Sequence, residues 1–204
     1  KGHAAMGLYP IFSDIGYFNE EELNKFGSKE GFLRIFANVS IPGIDCTSGS
    51  LGHGLGVASG YAFSHKYNSK KNKSFVILSE GEMYEGSTWE SALFCSHHNL
   101  DNLIVIIDRN NKIILGDTEE CMQLNPIKEK WESFGFFVVE VDGHSIEELI
   151  NAFNHIGKTN SKPLLVIANT VKGKGITFME DDPKWHYWHP ITEEQLSIAR
   201  KDLE

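Results

Sequence analysis

The sequence predicts an α/β domain: a parallel sheet with helices on both faces. Two observations carry this. The runs FVILS at 75–79, LIVIID at 103–108, FFVVEV at 136–141 and PLLVIAN at 163–169 read as buried strands, and helical patterns alternate with them. Acidic and amide residues also stand where the first two strands end: Glu80 after one, Asp108, Asn110 and Asn111 after the other. In an open parallel sheet that carboxyl edge is where ligands bind.

From Ala4 to Phe26 the pattern is helical, with a turn at Gly16-Tyr17 and a helix start at Asn19 followed by three glutamates. Residues 27–48, punctuated by Gly and Pro, read as loop. The stretch 47–56 then enters a helix rich in small residues that runs to about Tyr67, and the glycines at 52, 54 and 56 allow close backbone approach to a ligand or to another helix. KKNK at 70–73 reads as a solvated turn. The span Phe75–Asn111 makes one βαβ unit, strand, Gly-punctuated turn, helix and strand. Beyond it come a helix near Ile127–Phe134, a strand at Phe136–Val141, a helix at Ser145–Ile156 started by the capping-box pattern Ser145-x-x-Glu148, a strand at Pro163–Asn169 and a helix at Glu193–Leu203.

At 204 residues the chain is long enough to bury one full core. Hydrophobic residues at 41% and charged residues at 23% are ordinary for a soluble globular protein. A formal net charge of −9 argues against a nucleic-acid binder, whose affinity needs a basic surface. No apolar run reaches the length of a membrane span and no signal-peptide pattern opens the chain, so a cytoplasmic protein is expected. Cys46, Cys95 and Cys121 lack paired spacing and read as free or buried thiols of a reducing compartment.

A carboxylate and an amide oxygen converging beside the backbone N–H of Gly81 suit a hard cation such as Mg²⁺ holding a diphosphate. At this point the chain resembles the transketolases. Their thiamine diphosphate signature, Gly-Asp-Gly-x-x-x-x-Gly ending in an Asn about thirty positions on, has its counterpart in Ser79-Glu80-Gly81 through Gly86, with Asn110 thirty residues after Glu80. The resemblance extends from Lys1-Gly2-His3 through Ser50-Leu51-Gly52-His53-Gly54 to Val171-Lys172-Gly173-Lys174-Gly175 and Trp185-His186. Several spaced motifs in one order are more specific than any one of them.

The resemblance implies the diphosphate-binding half of a split transketolase-like enzyme, moving a two-carbon ketol unit between sugars, modified sugars included, with thiamine diphosphate and Mg²⁺. It implies metal ligands at Glu80, Asn110 and the carbonyl of Lys112. It implies cofactor contacts from His3, Gly49, Ser50, Leu51, Gly81, Asn110, Lys172 and His186, and catalytic roles for His186, Glu85 and Glu90, the two glutamates relaying protons between paired active sites. His186 also reaches substrate, and His189 is held in reserve for it. Ser87-x-x-Glu90 is also a capping-box pattern, which gives Glu90 a competing structural reading. Trp89 reads as packing, His97 and His98 as complements to a helix C-terminus, and His53 as a helix residue in place of a family Gln.

One domain over 1–204 is expected, lacking an N-terminal portion, since Lys-Gly-His lies inside a longer family motif. A partner subunit with the pyrimidine-binding domain follows, in an α2β2 assembly, acting on a sugar or sugar phosphate with no nucleic acid or membrane involved. Two departures stand out: Glu80 replaces the family Asp, and the loop that carries a Gly-His-Pro in the family has no His between His3 and His53. They leave open a non-catalytic scaffold, beside the related half of a 2-oxo-acid dehydrogenase or acyloin-forming enzyme.

Overall fold

A computed structural model describes residues 1–186 and 190–204. A single turn at Gly2–Ala4 leads into helix α1 (Ala5–Asp14), and Gly16, at φ 86°, reverses the chain. Asn19 caps the second helical piece as read, its side chain accepting from the Glu21 N–H, but that piece is a short 3₁₀ segment, Glu20–Lys25. Residues 27–48 are loop, as predicted, and rest on a small core of their own with α1: Ala5, Tyr9, Leu33, Ala37 and Ile41.

The βαβ unit follows helix α2 (Gly54–Tyr67) and consists of β1 (Ser74–Ser79), α3 (Gly86–His97) and β2 (Leu103–Arg109). A two-residue hairpin, β3 (Lys112–Ile113) with β4 (Gly116–Asp117), and a one-turn helix, α4 (Thr118–Cys121), come next. The sequence pattern predicts none of the three, because segments this short carry no periodicity. The rest matches the expected order: α5 (Ile127–Ser133), β5 (Phe137–Asp142), α6 (Ile146–Phe153), β6 (Leu164–Asn169), a 3₁₀ turn at Pro183–His186 and α7 (Glu193–Asp202).

The main sheet runs β1-β2-β6-β5 with every pair parallel. One face presents Val76, Leu78, Val105, Ile107, Leu165 and Ile167 to α2, α3 and α5, closing around Leu55, Cys95 and the fully buried Trp131. The other presents Ile104, Leu164, Val166 and Ala168 to Ala152, Leu149 and Phe153 of α6. Each fully buried aliphatic side chain here contributes roughly 1.5–3 kcal/mol, so the sheet is a rigid platform for whatever its edge carries. Helices do cover both faces, as the alternation of elements predicts.

Caps correct two readings. Ser145 accepts from the Glu148 N–H at 3.3 Å as expected, but the Glu148 carboxylate turns away and takes the N–H of Asp142 at 2.8 Å, so the box is half-formed. Ser87-x-x-Glu90 is not a capping box: the N-cap is Glu85, and the Ser87 hydroxyl donates to the carbonyl of Gly52. The full box belongs to α7, where Thr192 and Gln195 bond reciprocally. Trp89 is packing, as read: its indole donates to the carbonyl of Met83 and its ring lies against Trp131 and Phe134. His97 and His98 end α3 and pack against each other, with Phe63 and Phe94 against His98. The cysteines are free; burial pushes the Cys95 thiol up to about 12, which leaves it inert at neutral pH. KKNK at 70–73 is exposed ahead of β1, and among the described residues no helix is long and apolar enough to cross a membrane.

Candidate functional site

Strand register decides what meets at the carboxyl edge. Ser79 pairs with Asp108, and Asp108 with Ala168, so the segments leaving β1, β2 and β6 emerge level with one another. Glu80, the first residue past β1, is only 1% exposed. One carboxylate oxygen accepts from the Asn111 N–H at 2.5 Å; the other is buried with no hydrogen-bond partner among the described residues. Asn111 reaches this position through a left-handed backbone at φ 60°, a conformation that asparagine tolerates. Burial pushes the Glu80 carboxyl above its ordinary range, against the opposing pull of the Asn111 N–H and the Arg109 charge.

Beside Glu80, the Asn110 side-chain oxygen accepts from the Lys112 N–H at 3.0 Å. The Lys112 ammonium pairs with Asp117 at 2.6 Å and Asp181 at 3.3 Å, so its charge is met by those carboxylates. A Cβ on Gly81 would meet Ile113 at 3.2 Å, which keeps the turn after β1 tight against β3. A buried, half-unpaired carboxylate with an amide oxygen on the adjacent loop is an all-oxygen donor set of the kind Mg²⁺ takes, and a cation would supply the charge that burial withholds.

Positive groups gather on the other side of β2. The Lys1 ammonium pairs with Asp108, whose second oxygen accepts from the Thr170 hydroxyl at 2.6 Å. Burial pushes Asp108 up, but the Lys1 charge and these hydrogen bonds outweigh it and hold the carboxyl below its ordinary value. Lys172 is held below the usual ammonium value by burial first and then by Lys1, with Asp108 pulling the other way. His186, which keeps an exposed edge, is lowered by desolvation and then by Lys172, His3 and Lys1. Burial and neighbouring positive charge both disfavour the charged forms of Lys172 and His186, and an anion arriving there would relieve them.

The remaining candidates flank this edge. Gly49, Ser50 and Leu51 form a loop just before α2, and the ring of His3 stands edge-on to Phe36 with centroids 5.0 Å apart. Glu85 and Glu90, both exposed, lie at the N-cap and in the first turns of α3. His53 is the N-cap of α2 and makes no side-chain cap bond. His189, the reserve candidate, lies outside the described residues. Lys1 opens the Lys-Gly-His motif but has no role of its own in the sequence reading, and Thr170, which joins the site beside it, carries no sequence signal. Glu82 is a further member that sequence reasoning misses: it is 1% exposed and accepts from the Gly52 N–H at 3.0 Å. A glutamate one residue past a glycine turn carries no signal of burial.

An open parallel sheet with a buried carboxylate and converging basic side chains at its carboxyl edge places the chain among the α/β domains that bind ligands at that edge. Over residues 1–203 the sequence matches the family described as transketolase, thiamine diphosphate binding domain. It is 38% identical over 204 residues to one subunit of the apulose-4-phosphate transketolase of Phocaeicola vulgatus, covering 100% of this chain and 73% of that one. A 6-deoxy-6-sulfo-D-fructose transketolase subunit of a Clostridium species is 35% identical over 205 residues, covering 100% and 74%. The fold superposes on the transketolase of Campylobacter jejuni with a TM-score of 0.90 at 28% identity, covering 99% of this chain and 33% of that one. The chain belongs to the transketolase family, as a thiamine diphosphate binding domain, and is part of a transketolase-type transferase.

Proposed function

We propose that this chain is the diphosphate-binding subunit of a split transketolase acting on a modified sugar or sugar phosphate, with Mg²⁺ as its metal. The observation that carries the reading is Glu80: a carboxylate 1% exposed with one oxygen unpaired among the described residues, at the sheet edge where Lys1, Lys172, His3 and His186 also converge. Glu80, Asn110 and the Lys112 carbonyl would hold Mg²⁺; Lys172 and His186, with the turn at Gly81, would hold the diphosphate. Gly49, Ser50, Leu51 and His3 would contact the thiamine rings. When bound, thiamine diphosphate supplies an electron sink for breaking the carbon–carbon bond beside a ketose carbonyl. His186 would also face substrate; in the ligand-free chain, desolvation and the neighbouring cations hold its imidazole below its ordinary value. Glu85 and Glu90 would relay protons toward a second site, a role supported for Glu90 by the absence of its competing capping bond.

We infer that the aminopyrimidine half of the site lies on a separate chain, with the cofactor between the two in an α2β2 assembly. Relatives named as single subunits of larger transketolases support this, and the free thiols fit a reducing cytoplasm. The loop 27–45 bears on substrate choice, because it enters the site through Phe36 against His3 and supplies no His of its own. Two relatives are named for apulose 4-phosphate and for 6-deoxy-6-sulfo-D-fructose, both modified sugars. Steady-state comparison of ketose donors on the assembled enzyme tests the reading: kcat/KM should be higher for a branched or deoxy-modified ketose than for D-xylulose 5-phosphate. Preference for D-xylulose 5-phosphate would contradict the substrate class.

A further inference from the structure

We propose that Glu82 is a positioning residue for the cofactor: its buried carboxylate, working with Ser87, clamps Gly52 and thereby fixes where the Gly49–Leu51 loop stands over the site. The proposal rests on reading that loop as the thiamine-ring contact. Glu82 accepts from the Gly52 N–H at 3.0 Å, and from the other side the Ser87 hydroxyl donates to the Gly52 carbonyl at 2.9 Å. Gly52 itself sits at φ 83°, and a Cβ there would come within 2.5 Å of the Ser87 hydroxyl and 2.6 Å of the Glu85 Cβ. Both backbone groups of Gly52 are therefore held by the segment that also carries Glu80 and Glu85. Leu51 is bonded directly to Gly52, so the loop cannot lift away without breaking the clamp.

A buried carboxylate is an expensive way to hold a loop. Glu82 is 1% exposed and its second oxygen has no hydrogen-bond partner among the described residues. For stability alone, an apolar side chain of similar size would serve as well or better. The carboxylate also stands near the start of α2, whose N-cap His53 makes no side-chain cap bond, and this offsets part of the cost. It lies 3.5 Å from where a Cβ on Gly54, the first residue of α2, would be, facing the positive end of the helix dipole. Its own backbone is fixed in turn, because the Thr88 hydroxyl donates to the Glu82 carbonyl at 2.8 Å. One side chain thus ties the start of α2, the ring loop and the metal-bearing turn into a single unit.

Two ligands separate positioning from general stability. Thiamine diphosphate needs both the ring loop and the diphosphate end, whereas inorganic pyrophosphate needs only the latter. Calorimetric titration of each, with Mg²⁺ on the assembled enzyme, is to be run for wild type, Glu82→Gln, Glu82→Ala and Ser87→Ala. Glu82→Gln keeps a carbonyl acceptor for Gly52 and should bind both ligands within about threefold of wild type. Glu82→Ala should lose about 10- to 100-fold in thiamine diphosphate affinity, the scale of one lost charged hydrogen bond, with pyrophosphate affinity unchanged within about threefold. Ser87→Ala should show the same split at about 3- to 10-fold, and it decides the question if Glu82→Ala does not fold. Equal losses for both ligands, or no loss, would overturn the clamp while leaving the cofactor reading intact. A wild type that binds pyrophosphate but not thiamine diphosphate would end both.

Discussion

Glu80 concentrates the chemistry of the site at the scale of the residue. Its carboxyl is driven up by burial, so in the metal-free protein its charged form is a liability. A raised folded pKa gives stability that is present at low pH and is lost as pH climbs from the ordinary carboxylate range through the folded value. Metal-free wild type should therefore lose thermal stability over that interval, and Glu80→Gln, which does not titrate, should lack this component. A cation reverses the preference, so Mg²⁺-dependent cofactor affinity should rise with pH over the same window. At fixed Mg²⁺, Glu80→Gln should weaken thiamine diphosphate binding by at least about 10- to 100-fold, or about 1.4–2.7 kcal/mol. Glu80→Asp keeps the charge and should stay within a few-fold of wild type. Calorimetric titration checks the order, and equal affinity for wild type and Glu80→Gln would remove Glu80 from the metal site.

Elements bring together what no single stretch of sequence places. Lys1 precedes the first turn, Lys172 follows β6 and His186 closes a 3₁₀ turn, yet they feel one another's charge at the edge of β2. Because His186 is held low by desolvation and by these neighbours, an anion that engages the cluster should raise its pKa and draw in a proton. Pyrophosphate binding should thus be accompanied by proton uptake, seen as a heat that varies with buffer ionisation enthalpy, and affinity should fall as pH rises through the imidazole range. No proton uptake in wild type, or uptake undiminished in His186→Gln, would separate His186 from the anion site. The main strands and most helices are legible in the sequence because four buried runs and a helical period are long enough to read. The β3–β4 hairpin is not, nor is the choice by Ser87 of Gly52 over a cap, since both are settled by partners distant in sequence. Glu80 can be singled out from its place after a strand, but its burial and unpaired oxygen depend on Asn111 and the hairpin behind it. Glu82 cannot, because only the packing of α2 against β1 and α3 encloses it.

At the scale of the whole molecule, one open sheet edge carries Glu80, the cation cluster and the neighbouring 49–51 loop. In the function proposed here these make up half of a transketolase site, and the other half comes from a separate pyrimidine-domain subunit. In that function the loop at 49–51 and the exposed Glu85 and Glu90 would face the partner, and the ring would take contacts from both chains. The most direct measurement is ketol-transfer turnover with thiamine diphosphate and Mg²⁺, for this chain by itself and after reconstitution with its pyrimidine-domain partner. We expect no turnover from the single chain and turnover on mixing, rising to a plateau at equal molar amounts; appreciable turnover of a ketose by the single purified chain would contradict the split-site reading.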